Sequence, residues 1–378
     1  MDSHETQRPT WAEISLPALL HNFNVLRAHV SPSVQMMAVV KANAYGHGAV
    51  ECARALENAG ADCLGVALIE EGIELRRGGI MLPVICLGGV QPHQASLVIE
   101  HDLTPVLFDL DAVRALSECA VENKVRIKLH LKIDTGMGRL GIGIDRLSDF
   151  ASTVSTLGNV QIDGVLTQLA DADSQDQTFT NFQLSEFERV IGILEQMRIK
   201  PTFRHLANSA AIHAYRQAWG NLVRAGAALY GLRDDVLGPN APPLDLKPVM
   251  SLHTRIILLK DVPAGTSLGY GRTFRAARAS RIATLPIGYA DGLRRALSNV
   301  GRVIVRGRFA PIVGRISMDL TIVDVTDVEG VVHGDEVILL GSSGDAELRA
   351  EEIGARIGTV SYEIVCGVSA RVPRVYVS

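Results

Sequence analysis

Cysteine is scarce in this chain: five in 378 residues, at positions 52, 63, 86, 119 and 366, and no two of them in a CxxC pair. An odd, scattered set without ligand spacing speaks against a disulfide framework and against a zinc site, so no metal is expected. Most of these cysteines have apolar sequence neighbours and read as small buried hydrophobes. Charge of one sign is also lacking. The net charge is −4 with both signs interspersed, which leaves no basic stripe for nucleic acid or anionic lipid. No apolar run approaches the roughly 20 residues that cross a bilayer, and residues 1–9 are polar, without the apolar core of a signal peptide. These absences predict a cytoplasmic protein whose partner is a small molecule, with neither nucleic acid nor membrane involved. The composition, 47% hydrophobic, is ordinary for a globular protein, and the length allows two domains.

What is present is an alternation. Short apolar runs at 36–40, 63–68, 83–87, 104–108, 127–133, 162–166, 203–206 and 222–229 are interleaved with helical patterns such as 50–58, 70–77, 112–123, 182–197 and 209–219. A helix at 16–30 leads into the first run. Strand–helix alternation predicts a parallel sheet, and eight repeats predict closure into a TIM-like (β/α)8 barrel, with an open doubly wound sheet as the alternative. Near Pro242-Pro243 the helical periodicity gives way to short Val/Ile runs separated by turn signals. The reading is an α/β chain: a barrel over 10–243, then a mostly β C-terminal domain over 244–378 with a short helix near 350–357, residues 1–9 packing with the latter.

A barrel places its chemistry at the C-terminal ends of its strands, and polar residues gather there. Lys41 follows the first run, where a desolvated amine becomes a nucleophile toward carbonyls. Lys132, Asp134 and Arg139 follow the fifth run, Gln168 the sixth, and His205, Asn208 and Ser209 the seventh; Arg224, Gly226 and Tyr230 lie along or after the eighth. Each alone reads as a strand-end group satisfying backbone, but so many on one rim make that reading poor. Asn208-Ser209 ahead of a helical run, with Gly226 in the last strand, suits a phosphate site on the last two strands. The β region adds Tyr270, Tyr289 and Tyr362 beside glycines or charged residues.

Several runs together carry a resemblance: AVVKANAYGHG at 38–48, KIDTGMGR at 132–139, HLANSA at 205–210, VRAGAALYG at 223–231 and LGYGRT at 268–273. LPIGYADG at 285–292, VGRISMD at 313–319 and RVPR at 371–374 extend it to the end of the chain. In this order they resemble the pyridoxal-phosphate-dependent alanine racemases over essentially the whole length. The resemblance implies an isomerase that interconverts L- and D-alanine by a two-base mechanism, supplying D-alanine for peptidoglycan, and a homodimer with composite sites. It implies that Lys41 holds pyridoxal 5'-phosphate as a Schiff base and that Tyr270 of the second subunit is the opposing base. It further implies that Tyr45, Asn208, Ser209, Gly226 and Tyr362 bind the phosphate, with Arg224 at the pyridine nitrogen and Arg139 at the phenolic oxygen. Arg139 and the Met318 N–H would take the substrate carboxylate, and Lys132 corresponds to a lysine often carbamylated. Racemisation moves a Cα proton between faces, so two groups must change protonation near neutral pH; lysine and tyrosine, with ordinary values of about 10, need burial or nearby cations for this. An arginine, which hardly ever gives up its proton, leaves the ring nitrogen largely unprotonated and is expected to limit transamination.

Gln168 departs from the family pattern, which has histidine there. Its amide oxygen can still accept from Arg224, but it cannot titrate. Ala225 replaces a usual proline and Ser317 a frequent cysteine. His47 reads as structural or supporting. The alternatives are a racemase of serine or of broader specificity, a non-catalytic pyridoxal-phosphate-binding protein, and a barrel-type decarboxylase. The second domain and the Tyr270 run disfavour the binding protein, and the residues around Cys366 lack the decarboxylase motif.

Overall fold

The computed structural model describes residues 8–240 and 242–378. Its first sheet runs through eight parallel strands: Gln35–Val39, Cys63–Val66, Val84–Cys86, Leu103–Leu107, Ile127–Asp134, Val160–Leu166, Phe203–His205 and Leu222–Ala225. The eighth pairs with the first, Leu222 opposite Gln35, and that pairing decides for a barrel over an open sheet. The seventh and eighth strands share no ladder. They are stitched by Asn221 and Arg224 N–H groups donating to the Arg204 and Ala207 carbonyls at 3.1 and 3.0 Å. The closure is nearly complete.

The strands form where the sequence supplies short apolar runs. The second, third and eighth are buried at every position, as expected when helices cover one face and the barrel interior fills the other. The helices are one-sided. Leu110–Glu122 buries Ala112, Val113, Leu116 and Ala120, and Asp109 caps it by accepting the Asp111 and Ala112 N–H groups at 3.0 Å, a cap worth about 1 kcal/mol. Leu16–His29 starts at Ser15, whose hydroxyl accepts the Ala18 N–H at 3.2 Å.

The C-terminal domain is mostly β. Its largest sheet has the order Arg308–Pro311, Arg302–Val305, Glu336–Ser343, Met250–Arg255, Thr10–Ser15, Arg374–Val377, and a second sheet joins Leu258–Val262, Ser280–Leu285 and Thr321–Asp324. Thr10–Ser15, placed with the barrel by the sequence reading, pairs instead with Met250–Arg255 and Arg374–Val377. The reason lies in its alternation. Thr10, Ala12 and Ile14 are buried and the intervening residues are not, the signature of a sheet covered on one face rather than of a barrel strand. The run 254–259 is likewise divided between two strands in different sheets. The helix Ala350–Ile357 forms where the sequence places one, and Ser361–Cys366 adds an unforeseen short helix. Arg8 grips Asp291 with both terminal nitrogens at 2.7 Å, tying the start of the described chain to this domain; residues 1–7 lie outside the described residues.

Candidate active site

The first barrel strand ends on an unusual turn. Lys41 opens it, and Ala42, Asn43, Ala44 and Tyr45 follow with φ of 53°, 54°, 52° and 54°. Four successive non-glycine residues in the left-handed region cost roughly 1–2 kcal/mol each, so neighbours must impose the shape. Glu71 does so first: one oxygen accepts the Ala42 N–H at 2.6 Å, the other the Ala67 and Leu68 N–H groups at 2.7 and 3.1 Å. Asn43 Oδ1 accepts the Ala49 N–H at 2.8 Å, the Tyr230 hydroxyl donates to the Val39 carbonyl at 3.0 Å, and Arg374 Nε donates to the Gly46 carbonyl at 3.0 Å. The outcome is a half-buried amine at the barrel mouth. Burial, then the charges of Arg139 and Arg224, lower the Lys41 pKa.

Lys41 opens onto a cavity of about 380 Å³ whose walls also carry Tyr45, Arg139, Asn208, Ser209, Arg224, Gly226 and Tyr362. One end is a small polar cradle. Ser209 Oγ accepts the Gly226 and Ala228 N–H groups at 3.1 and 3.3 Å. A Cβ on Gly226 would sit 2.9 Å from the Tyr45 hydroxyl and 3.7 Å from Ser209 Oγ, so glycine keeps the cradle open. Burial pushes the Tyr45 and Tyr362 phenols well above their ordinary range, which keeps both neutral donors. Asn208 Oδ1 caps the helix Ser209–Ala214 through the Ala211 N–H at 3.0 Å, so its amide N–H groups are what can serve an anion. Converging neutral donors of this kind fit a phosphate.

The other end is cationic. Arg224 is buried on the eighth strand and donates to the carbonyls of His205, Thr167 and Leu206 at 2.6, 2.9 and 2.9 Å, and to Gln168 Oε1 at 3.1 Å. Burial lowers it to about 10, so it stays charged at neutral pH. His205, against Arg224 and bonded to His130 at 3.0 Å, is held neutral by burial and by His130 and Arg224. Lys132, 7% exposed on the fifth strand, is pushed down to about 8 by burial, then by Arg224, Arg139 and Lys41. Two lysines and two arginines thus share one rim, with Asp134 a weak counterweight to Lys132. Gln168 does accept from Arg224, as its chemistry allows.

Tyr270 and Met318 are not brought in. Both lie on the C-terminal domain, 72% and 52% exposed, away from this cavity. Three supporting residues went unread in the sequence. Glu71 is legible as an acidic residue in a first helical turn, but its bond to Ala42 is not. Asp235 holds the helix bearing Tyr362, accepting the Ser361 N–H and hydroxyl at 2.6 Å each. Gln183, fully buried, donates to Thr135 Oγ1 at 3.2 Å and the Gln168 carbonyl at 3.0 Å and accepts the Ala170 N–H at 2.8 Å; an amide on a long helix gives no signal of this.

The family models of the alanine racemase N-terminal and C-terminal domains match residues 14–234 and 249–376. The chain belongs to the alanine racemase family. An alanine racemase of Halothermothrix orenii is 44% identical over 371 residues, covering 98% of this chain and 97% of the relative. Among solved structures, the alanine racemase of Bacillus anthracis with bound L-Ala-P superposes with a TM-score of 0.93 at 35% identity, covering 98% and 96% of the two chains. That of Bartonella henselae with covalently bound pyridoxal phosphate gives 0.87 at 31%, covering 98% and 100%. As an alanine racemase, the chain is an isomerase that interconverts L- and D-alanine, with pyridoxal phosphate as cofactor.

Proposed function

We propose that Lys41 Nζ holds the cofactor covalently and that Lys41 and Tyr270 handle the alanine Cα proton from opposite faces, Tyr270 coming from a second copy of the chain. What carries this reading is that a half-buried amine of lowered pKa opens onto the same 380 Å³ cavity as the Ser209–Gly226–Tyr45 cradle. The bound cofactor supplies the electron sink that loosens the Cα–H bond. Tyr45, Tyr362, Ser209, the Asn208 amide and the Gly226 backbone bind its phosphate. Arg224, still charged, presents donors to the ring nitrogen and so leaves no proton there. Arg139 faces the phenolic oxygen and, with the Met318 N–H, takes the substrate carboxylate.

Burial, then the Arg139 and Arg224 charges, keep Lys41 from holding a proton too tightly, which a base that must also act as an acid requires. Tyr270 is largely exposed in one chain and does not line that chain's own cavity, which supports a composite site completed by a second copy. Lys132, with part of its amine unprotonated at neutral pH, can add to carbon dioxide: the N–C bond forms, a proton leaves to solvent, and an anion replaces a cation among Arg139, Arg224 and Lys41. The cytoplasmic location is supported by the unpaired cysteines, of which Cys52, Cys63 and Cys86 are buried thiols pushed up by burial.

The test joins chemistry to assembly. Borohydride reduction with peptide mapping should label Lys41. L-alanine in D2O should lose its α-proton as D-alanine appears, and Lys41→Ala and Tyr270→Phe should each abolish this. Mixing the two inactive variants should restore activity, because one site of the mixed dimer then has both residues intact. Failure of the mixture to recover would place Tyr270 in the same chain as its Lys41, or outside the reaction.

A further inference from the structure

His47 lies just beyond the left-handed turn and is fully buried. Its Nδ1 stands 2.9 Å from the Ala44 carbonyl and 3.0 Å from the Tyr45 carbonyl. A carbonyl oxygen only accepts, so Nδ1 must carry the hydrogen and share it between the two. These are the last two residues of the strained turn. The ring packs on Tyr230, centroids 4.6 Å apart, and Tyr230 in turn reaches back to the Val39 carbonyl at the end of the strand. His47 and Tyr230 therefore brace both ends of the segment that presents Lys41.

The other nitrogen is as informative. With the hydrogen on Nδ1, Nε2 is an acceptor, and it is buried without a protein partner among the described residues. His47 lines a small cavity of about 20 Å³ between the domains, with Tyr230, Met250, Leu340, Arg349 and Val365. That volume suits roughly one water molecule. Arg349 Nε, a buried donor with no partner among the described residues, lines the same cavity.

We propose that His47 is a positioning residue, its Nδ1–H fastening the left-handed turn that aims Lys41 and its Nε2 held from behind by one buried water shared with Arg349. The two domains are thereby coupled at Lys41, since the ring ties a barrel turn to a cavity walled by C-terminal residues. The proposal rests on Lys41 being the cofactor lysine.

Histidine-selective ¹⁵N NMR of the holoenzyme reads the tautomer directly. A neutral ring with the hydrogen on Nδ1 is expected, and an Nε2–H ring would overturn the proposal. Two variants then separate the N–H from the ring. His47→Phe keeps the bulk and removes the side-chain donor that the Ala44 and Tyr45 carbonyls share, although the Ala44 carbonyl keeps the His47 N–H at 3.1 Å, so amides 42–48 should exchange, and pyridoxal phosphate should be lost on dialysis, about tenfold faster. Turnover should fall while the KM for alanine stays within about twofold, because His47 does not line the cavity onto which Lys41 opens. His47→Asn places an amide N–H near the Nδ1 position and should recover most of the loss. Wild-type exchange and cofactor retention in the Phe variant, or equal damage in both variants, would reduce His47 to a packing residue. If borohydride labelled another lysine, the attachment reading would fall, while tautomer and exchange would still decide what His47 does to its turn.

Discussion

Replacing Gln168 by alanine should be mild, and the geometry around Arg224 says by how much. A hydrogen bond to a charged group is typically worth about 1.5–3 kcal/mol. The Gln168 bond is the longest of those that Nη2 donates, 3.1 Å against 2.9 Å to both Thr167 and Leu206, so the guanidinium keeps its partners and its place when the amide goes. The net loss should be about 1 kcal/mol, a fivefold fall in kcat/KM, equal in the two directions because a racemase cannot change the equilibrium between enantiomers. Gln168→His should fall by less, since one imidazole nitrogen can accept from Nη2. Beside the Arg224 guanidinium that imidazole would titrate below its ordinary value, so the neutral and alkaline parts of the pH profile should not move. Racemisation rates in both directions over pH 5–9, with urea unfolding on the same samples, make the test. A loss beyond about 3 kcal/mol in the alanine variant would refute the reasoning, because it would mean that Gln168 alone holds Arg224.

Three further outcomes follow from the same geometry. Gly226→Ala should weaken pyridoxal phosphate binding at least about tenfold, because the new Cβ, 2.9 Å from the Tyr45 hydroxyl, fills the cradle; equilibrium dialysis reads it. Lys132 should acquire a carbamate resonance when the protein is equilibrated with ¹³C-bicarbonate above about pH 8 and lose it on acidification, when the amine regains its proton; a Lys132→Met sample should give no such signal. Burial raises the Asp291 carboxyl, but the Arg8 guanidinium, the Gly288 N–H and Arg371 outweigh it and hold the group below its usual range. A depressed carboxyl stabilises the fold above its unfolded value of about 4 and loses that contribution as the pH falls through its folded value. Asp291→Asn should therefore cost about 2 kcal/mol at pH 7, and the gap should narrow below pH 4 in urea titrations.

The chemistry of this chain was far more legible than its positioning. Barrel strands are short apolar runs between helical periods, and the eight that form are the eight the alternation picks out, with catalytic residue types at their ends. Thr10–Ser15 was misplaced because its partners, Met250–Arg255 and Arg374–Val377, lie at the far end of the chain, and no local pattern names a distant partner. The turn after Lys41 is the sharper case. Asn43 enters the left-handed region more readily than most residues, but Ala42, Ala44 and Tyr45 have right-handed local preferences, and nothing in them asks for positive φ. The shape is imposed by Glu71 from a neighbouring helix, Arg374 from the last strand, and Val365, whose carbonyl leaves no room for a Cβ on Gly46. A lysine can thus be proposed as a nucleophile from the run it stands in, whereas the turn that presents it takes its shape from residues of both domains. A substitution distant in sequence from Lys41, at Glu71 or Arg374, should therefore act on the turn at Lys41 before it acts on global stability.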